Sequence, residues 1–350
     1  MSKYAIQLSP GHNRVYYMES QKLSVAELTI TASGFDSKCS SPAIENIKGV
    51  VCAAFTCESK LSRHEIALLY NLSFAFVIFE VVEIDGDTYL LPIENLSPQY
   101  FDDKITTILK YQGKTNETFT KMMINVAAQT CSTTNDTNLR LLDPMAGKGT
   151  TLFCGLTRGF DVYGIEISTK YTNEIGIFFK KYLEREKYKH TTQKRTITSK
   201  QTKKQIGKAS HFEFAHKQDF ADGNTQKLEI VDGDSALTNF YYKKNYFDII
   251  VVDLPYGIQH SSKQQRQSKG FTRNPEQLLS ASLPAWRDVL KRGGVLVISY
   301  NTNVISKTKA NDLLSKAGLT VLDEDIYNQF EHRVDASIKR DISIAKKEIL

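Results

Sequence analysis

From about residue 106 onward, short apolar runs alternate with longer amphipathic stretches, and this alternation limits the possible folds more than any other feature. Five of the six strand-like runs are continuously or almost continuously apolar, as expected for strands buried on both faces. Such alternation of strands and helices is typical of an α/β fold with a doubly wound, mostly parallel sheet. The predicted strands are RLLDP, DVYGIEI, LEIVDGD, FDIIVVD, GGVLVISY and LTVLDE. The last segment, SIKRDISIAKKE, alternates apolar and polar residues and is predicted to form an edge strand.

Residues 1–105 follow a different pattern. The run AFVIFEVVEIDGDTYLLPI predicts two strands joined by a tight Asp-Gly turn, and KLSVAELTITAS and RHEIALLYNLS predict helices. A chain of 350 residues is long enough for two domains. We therefore predict a smaller N-terminal α+β domain at 1–105, a candidate for substrate recognition, and a doubly wound domain at 106–350. The first of these carries no residue cluster that points to a chemistry.

Cysteine usage and hydropathy indicate the compartment. The five cysteines are odd in number, and their spacing matches neither a disulfide framework nor a C-x-x-C zinc site; they are Cys39, Cys52, Cys57, Cys131 and Cys154. We predict reduced thiols and no metal site. The sequence shows neither an apolar run long enough to span a membrane nor the apolar core of a signal peptide. The expectation is a soluble, cytoplasmic protein.

The stretch LLDPMAGKGT places an acid and two glycines directly after a predicted strand. Gly147 and Gly149 let the backbone approach a ligand closely, and the helix that follows offers free N–H groups. The spacing matches neither the phosphate loop G-x-x-x-x-G-K-[ST] nor the dinucleotide motif G-x-G-x-x-G. Asp143 would repel a pyrophosphate but attracts an ammonium group.

Acids also end the next two predicted strands. Glu166 can accept both hydroxyls of a ribose, and Asp234 can accept from an adenine amino group while Ser235 N–H donates to a ring nitrogen. Convergent polar groups of this kind predict S-adenosylmethionine as the cofactor. The predicted cofactor-binding residues are Asp143, Pro144, Met145, Gly147, Gly149, Thr150, Glu166, Asp234 and Ser235.

A second motif, VVDLPYG, ends the fourth predicted strand. The exocyclic amine of a base is a poor nucleophile because its lone pair is delocalised into the ring. The Asp253 carboxylate and the Leu254 carbonyl can each accept one of its two N–H bonds, and Pro255 fixes the backbone between them. Tyr256 can stack on the base. We predict these four residues as catalytic, with most of the rate coming from the geometry in which they hold the amine.

With DPMAGKGT and DLPYG in this order, the chain resembles the amino-methyltransferases among the Rossmann-like S-adenosylmethionine enzymes. The segments GKTNETFTKMMINVA and EHRVDASIKRDI make it similar to the tRNA guanine-N2 methyltransferases and their bacterial relatives, over about 110–350. The resemblance implies a Rossmann-like methyltransferase sheet and methylation of a guanosine amino group in tRNA. Leu254 replaces the first proline of the common D-P-P-Y, and activity should survive because a backbone carbonyl has the role. His332 and Arg333 match a late motif of the family, with substrate contact and packing both open as roles.

Charge is concentrated between Lys180 and Lys208, where eleven Lys or Arg stand against two acids, in a chain whose formal net charge is +6. We predict a basic insertion at about 180–215 and a nucleic-acid partner, with RNA favoured over DNA by the resemblance. The question of a protein partner stays open. Two alternatives stay open: a DNA adenine-N6 or cytosine-N4 methyltransferase, and a non-catalytic RNA-binding module.

Overall fold

The structure is a computed structural model of the 350-residue chain, and it describes residues 1–10, 14–95, 101–107, 116–133, 138–255, 274–335 and 337–349. The described residues form two β-sheets, one of five strands and one of ten. The smaller sheet belongs to the N-terminal region, and the larger sheet contains the remaining strands.

The N-terminal region consists of β1 (Ser2–Leu8), α1 (Arg14–Ser33), β2 (Ala43–Ile47), β3 (Val50–Cys57), α2 (Arg63–Tyr70), β4 (Ala75–Ile84) and β5 (Asp87–Pro92). Its strands form an antiparallel sheet in the order β2-β3-β1-β4-β5. Asp85 and Gly86 join β4 to β5 with φ angles of 52° and 83°, the left-handed conformation of a tight hairpin turn. The predicted hairpin and the two predicted helices are confirmed.

The larger unit follows the predicted alternation of strands and helices. It begins with α3 (Lys104–Thr107) and α4 (Glu117–Thr130). Its first half then contains β6 (Arg140–Asp143), α5 (Thr150–Thr157), β7 (Asp161–Glu166), α6 (Thr169–Arg185), β8 (Lys189–Thr198), β9 (Gln205–Ala215), α7 (Lys217–Ala221) and β10 (Gln226–Gly233). Its second half contains α8 (Thr238–Tyr241), β11 (Phe247–Asp253), α9 (Pro275–Val289), β12 (Leu290–Asn301), α10 (Lys307–Lys316), β13 (Thr320–Leu322), β14 (His332–Arg333) and β15 (Lys339–Lys346).

Five neighbouring strands of the larger sheet run parallel in the order β10-β7-β6-β11-β12. The chain moves outward from β6 through β7 and β10 and then returns to the other side of β6 with β11 and β12. This confirms the predicted doubly wound α/β sheet. The strand order reverses between β6 and β11, and ligands of such sheets bind at the carboxyl ends of the strands at this switch point. The residues that follow β6 and β11 are therefore neighbours.

β15 lies inside the sheet, with β12 on one side and β13 and β14 on the other. The prediction of an edge strand is wrong. The alternation in this segment comes from polar residues that are buried and paired. Asp341 forms an ion pair with Lys307 at 3.1 Å, and Ser343 shares a hydrogen bond with Tyr300 at 2.9 Å.

Most of the predicted basic insertion forms the hairpin β8–β9. β9 pairs antiparallel with β10, and β8 is the outermost strand. Gly207 of β9 pairs with Gly233 at the end of β10, so the hairpin turn at 199–204 lies at the carboxyl ends of the parallel strands. The exposed side chains of Lys200, Lys203 and Lys204 are in this turn.

Two of the five cysteines are joined. Cys39 and Cys57 form a disulfide across an isolated antiparallel bridge, with their Cα atoms 4.1 Å apart. The prediction of reduced thiols is wrong for this pair, because the fold brings together residues that lie 18 apart in the sequence. Cys52, Cys131 and Cys154 are free thiols.

The helix α1 connects the two sheets. Its side chains pack in the same core cluster as those of α4, through Leu23, Ala26 and Ile30. The buried Glu27 of α1 accepts a hydrogen bond from Asn125 Nδ2 of α4 at 2.7 Å and from Ser73 N at 3.0 Å. The N-terminal region thus contacts the larger unit through α1 and through Asn71 after α2, whose carbonyl accepts a hydrogen bond from Asn125 Nδ2 at 2.7 Å. The domain boundary near residue 105 stays a prediction.

Candidate active site

The turn after β6 brings the glycine loop against β7. Ala146 N–H donates to the Ile165 carbonyl at 2.9 Å, and Gly149 N–H donates to the Ala146 carbonyl at 2.7 Å. Gly147 and Gly149 have φ angles of 53° and 87°, which glycine adopts without strain. A Cβ at Gly149 would lie 3.2 Å from Phe153, whereas a Cβ at Gly147 would meet nothing within 4 Å. The loop is therefore packed against protein at one glycine and open to a ligand at the other.

Glu166, the last residue of β7, anchors this loop. Its carboxylate accepts hydrogen bonds from Gly147 N–H at 2.9 Å and from Ser168 N–H at 2.8 Å. Burial raises the pKa of Glu166, and the nearby Asp232 carboxylate contributes to the rise. The sequence predicts ribose binding for Glu166, and the structure adds the anchoring of the glycine loop.

Asp143 is at the centre of a group of acids. Its side chain is 3% exposed and accepts a hydrogen bond from Met145 N–H at 3.0 Å. The pKa of Asp143 is raised to about 7, mainly by burial and in part by the carboxylates of Asp253 and Glu166. Neighbouring carboxylates repel one another, so a cation bound among them is stabilised.

The end of β10 extends this row of acids. The Asp234 side chain is exposed and accepts a hydrogen bond from Ala236 N–H at 2.9 Å. Ser235 is buried, and its Oγ accepts a hydrogen bond from Trp286 Nε1 at 3.1 Å. The sequence analysis did not identify Asp232, which pairs with Glu166 across β10 and β7. Its position two residues before Asp234 in VDGDS is the signal that could have found it.

The D-L-P-Y motif begins at the end of β11. Asp253 is half-buried, and Leu254 is buried with its N–H donating to the Ser299 carbonyl at 2.9 Å. This hydrogen bond extends the pairing of β11 with β12 by one residue and holds the backbone of the motif. Pro255 is exposed. Tyr256 lies outside the described residues.

The structure brings together the predicted residues on both sides of the switch point. Pro144 is buried and Met145 is half-buried in the turn that carries the glycines, and Thr150, the buried first residue of α5, follows that turn. Asp253, Asp143 and Glu166 are the last residues of the neighbouring strands β11, β6 and β7, and Asp234 directly follows the next strand, β10. The sequence analysis did not identify Ser299, because no local pattern connects it to the motif that it supports.

A family comparison identifies the chain. Residues 108–310 match the model of the family UPF0020, described as RMKL-like, methyltransferase domain, and this range is more than half of the chain. The chain belongs to this family. Both motifs of the methyltransferase lie within the matched residues. A search of curated proteins found no match.

Solved structures resemble the methyltransferase weakly. An S-adenosylmethionine-dependent methyltransferase from Methanosarcina mazei has 13% identity and a TM-score of 0.37, covering 61% of this chain and 95% of its own. SMU.1697c from Streptococcus mutans, a putative methyltransferase in complex with SAH, has 12% identity and a TM-score of 0.36, and the match covers 63% of this chain and 93% of that one. An rRNA methylase from Streptococcus thermophilus has 10% identity and a TM-score of 0.33, and the match covers 64% of this chain and 92% of that one. Likeness at this level gives no information about the site or the substrate.

S-adenosylmethionine is the cofactor of the methyltransferase, and the residues at the switch point suit it. The buried Asp143, surrounded by like charges, favours a positively charged group. Glu166 has the oxygen acceptors that ribose hydroxyls need, and the open side of Gly147 leaves room for the ligand. When bound, the cofactor supplies the methyl group.

Other features lie apart from this site. Within the ranges that the structure describes, no helix is long and apolar enough to cross a membrane. The same ranges contain no group of three or more His, Cys, Asp or Glu arranged to hold a metal ion. A polar cleft of about 410 Å³ is lined by residues that include Arg195, Glu229 and Tyr246, and none of the predicted site residues that the structure describes lines it.

Proposed function

We propose that the methyltransferase methylates the exocyclic amino group of a nucleic-acid base, and that this base is guanosine, at N2, in tRNA. One observation supports the proposal above all others. Asp253 and the backbone of Leu254 stand at the switch point beside the glycine loop, where a flat amine can meet the cofactor. The tRNA assignment rests on the resemblance of the sequence motifs.

The residues of the motif act on the amine. The Asp253 carboxylate and the Leu254 carbonyl each accept one of its N–H bonds, which draws the hydrogens away from the ring plane and exposes the nitrogen lone pair. As the nitrogen gains its bond to carbon it must lose a proton. The Asp253 carboxylate is the group placed to receive that proton.

We propose that the basic turn of the β8–β9 hairpin binds the phosphates of the RNA. Lys200, Lys203 and Lys204 are exposed at the same edge of the sheet as Asp253. Four strand spacings separate β11 from β9, which is roughly 19 Å, so the turn can contact nucleotides near the modified one.

We also propose a cytoplasmic location, as the sequence predicts, and fluorescence of a tagged protein in cells tests it.

Mass spectrometry of nucleosides tests the function. Purified enzyme with total tRNA and S-adenosylmethionine should increase N2-methylguanosine, and cells without the gene should lack that modification at one site. Asp253→Ala should lower the rate of product formation by at least about 100-fold. Asp312→Ala, which changes a half-buried residue of α10, should not. If the product is instead N6-methyladenine or N4-methylcytosine in DNA, the substrate is DNA and the tRNA proposal is wrong. RNA binding without any methylation would leave only a binding module.

A further inference from the structure

A buried histidine on β14 has one ring nitrogen without a hydrogen-bond partner in the described part of the chain. His332 is 2% exposed, and the nitrogen is Nε2. The residue lies on β14, and its ring centroid is 5.1 Å from that of Phe119 on α4. A buried polar atom without a partner costs free energy, so native proteins rarely keep one without a reason.

The other ring nitrogen determines the tautomer. Nδ1 of His332 lies 2.9 Å from the carbonyl oxygen of Phe330. A carbonyl oxygen only accepts, so Nδ1 carries the hydrogen and Nε2 of the neutral ring presents a lone pair. Burial lowers the pKa of His332 to about 4; Arg340 and Lys22 lower it further, and the Phe330 carbonyl and Asp253 oppose them. The ring is therefore neutral near pH 7, and Nε2 is an acceptor.

Strand pairing connects His332 to the catalytic motif along the carboxyl edge of the sheet. Asp253 pairs with Ser299 of β12. Two residues further along β12, Asn301 pairs with Arg340 of β15, and Arg340 pairs with His332. The Oγ of Ser299, which is fully buried, likewise has no hydrogen-bond partner among the residues described. Two polar atoms without partners thus belong to the side of Asp253 that faces away from the glycine loop.

An acceptor in this place distinguishes the bases by their edges. In guanine the amino group is next to a ring N–H, which donates. In adenine and cytosine the amino group is next to an unprotonated ring nitrogen, whose lone pair would face the lone pair of the histidine. Enzymes that act on a base read such edges by hydrogen bonds, and a mismatch leaves both groups unpaired.

Building on the proposed function, we propose that His332 Nε2 accepts a hydrogen bond from the ring N–H next to the amino group that Asp253 holds, and so selects guanine over adenine and cytosine. His332 is then a specificity-determining residue that contacts the substrate. The buried nitrogen gains its missing partner only when the correct base is bound.

A base analogue tests this without changing the protein. An RNA that the enzyme methylates is synthesised with guanosine or with 2,6-diaminopurine riboside at the target position. The analogue keeps the 2-amino group but has an unprotonated N1. Wild-type enzyme should prefer guanosine by about 10- to 100-fold in kcat/KM, the discrimination typical of lost base-edge hydrogen bonds.

Two variants assign the preference to the histidine. His332→Phe keeps a ring but lacks the acceptor, so it should lower kcat/KM for guanosine by the same factor and leave the analogue almost unchanged. The side-chain amide in His332→Gln can accept a hydrogen bond from guanosine or donate one to the unprotonated N1 of the analogue. This variant should stay active, with a smaller ratio of kcat/KM between guanosine and the analogue. His64→Gln, an exposed residue of α2, should retain the full preference. The melting temperature and the affinity for SAH are measured for each variant as folding controls.

The possible failures are distinct. If wild-type enzyme methylates no guanosine in any RNA, the proposed function and this inference both fail. If it methylates guanosine and the analogue equally, or if His332→Phe slows both by the same factor, the inference alone is overturned and His332 has a structural role only.

Discussion

The two sides of the switch point are built differently. On the β6 and β7 side, Asp143 and Glu166 come from one short stretch of chain, and their carboxylates accept hydrogen bonds from backbone N–H groups of the glycine loop. On the β11 side, Asp253, Ser299 and His332 come from three distant segments that only strand pairing brings together. The cofactor side is thus a local structure, and the substrate side depends on the tertiary fold. Mutations on the two sides should therefore fail in different ways.

The largest effect is expected on the substrate side. Asp253→Ala removes the group that holds the amine and receives its proton, so kcat should fall by about 100- to 10,000-fold. The affinity for SAH should not weaken, because Asp253 repels Asp143 rather than binding the cofactor. Turnover assays and calorimetric titration with SAH measure the two quantities, with Asp312→Ala as the control. If Asp253→Ala lowers turnover and SAH affinity by equal factors, the substrate side and the cofactor side do not act independently.

The two glycines separate folding from cofactor binding on the other side. Gly149→Ala places a Cβ 3.2 Å from Phe153 at a φ of 87°, so it should lower the free energy of unfolding by about 2–3 kcal/mol. Gly147→Ala meets no protein atom within 4 Å, so only the backbone strain, about 1–2 kcal/mol, should remain. Its added methyl group should instead raise the KM for S-adenosylmethionine. Denaturant unfolding measures the free energy of unfolding of both variants, and steady-state kinetics measures their KM for S-adenosylmethionine. Equal changes in both quantities for the two variants would contradict the different roles given to the two glycines.

The acid cluster predicts a pH dependence. Because the pKa of Asp143 is raised to about 7 in the folded protein, the unfolded chain loses this proton first, and the residue lowers stability as pH rises from about 4 to 7. Asp143→Asn removes the effect. Without cofactor, the variant should be more stable than wild type at pH 8 by about 2–4 kcal/mol and show no gain at pH 4.

The same substitution should weaken SAH binding at pH 8, since the cationic end of the ligand loses its carboxylate. Urea unfolding at both pH values and titration with SAH provide the measurements. If the free energy of unfolding of wild type and of Asp143→Asn changes with pH in the same way from pH 4 to pH 8, the pKa of Asp143 is not raised by burial and neighbouring carboxylates.

The smallest effect is expected at the hairpin turn, far from the chemistry. Replacing Lys200, Lys203 and Lys204 by Gln should weaken tRNA binding and reduce the slope of log affinity against log salt by about 2, at about 0.7 per phosphate contact. The turnover at saturating RNA should stay the same. The pair Lys309→Gln and Lys316→Gln on α10 is the control. An unchanged salt slope would exclude the turn from the RNA interface.

The same comparison explains what could be predicted from the sequence. The glycine loop and the acids at strand ends follow local rules, so Asp143, Glu166 and Asp253 could be named and the doubly wound sheet foreseen. Ser299 could not, because its contact with Leu254 depends on which strand pairs with β11. The Cys39–Cys57 disulfide and the interior position of β15 were missed for the same reason, since pairing between distant segments leaves no local pattern.

The most direct test is a crystal structure of the methyltransferase with SAH. The sulfur atom should lie between the glycine loop and Asp253, with the ribose hydroxyls at Glu166 and space for one flat base beside Asp253. A ligand in the polar cleft of Arg195 and Glu229, or one whose sulfur points away from Asp253, would contradict the site described at the switch point.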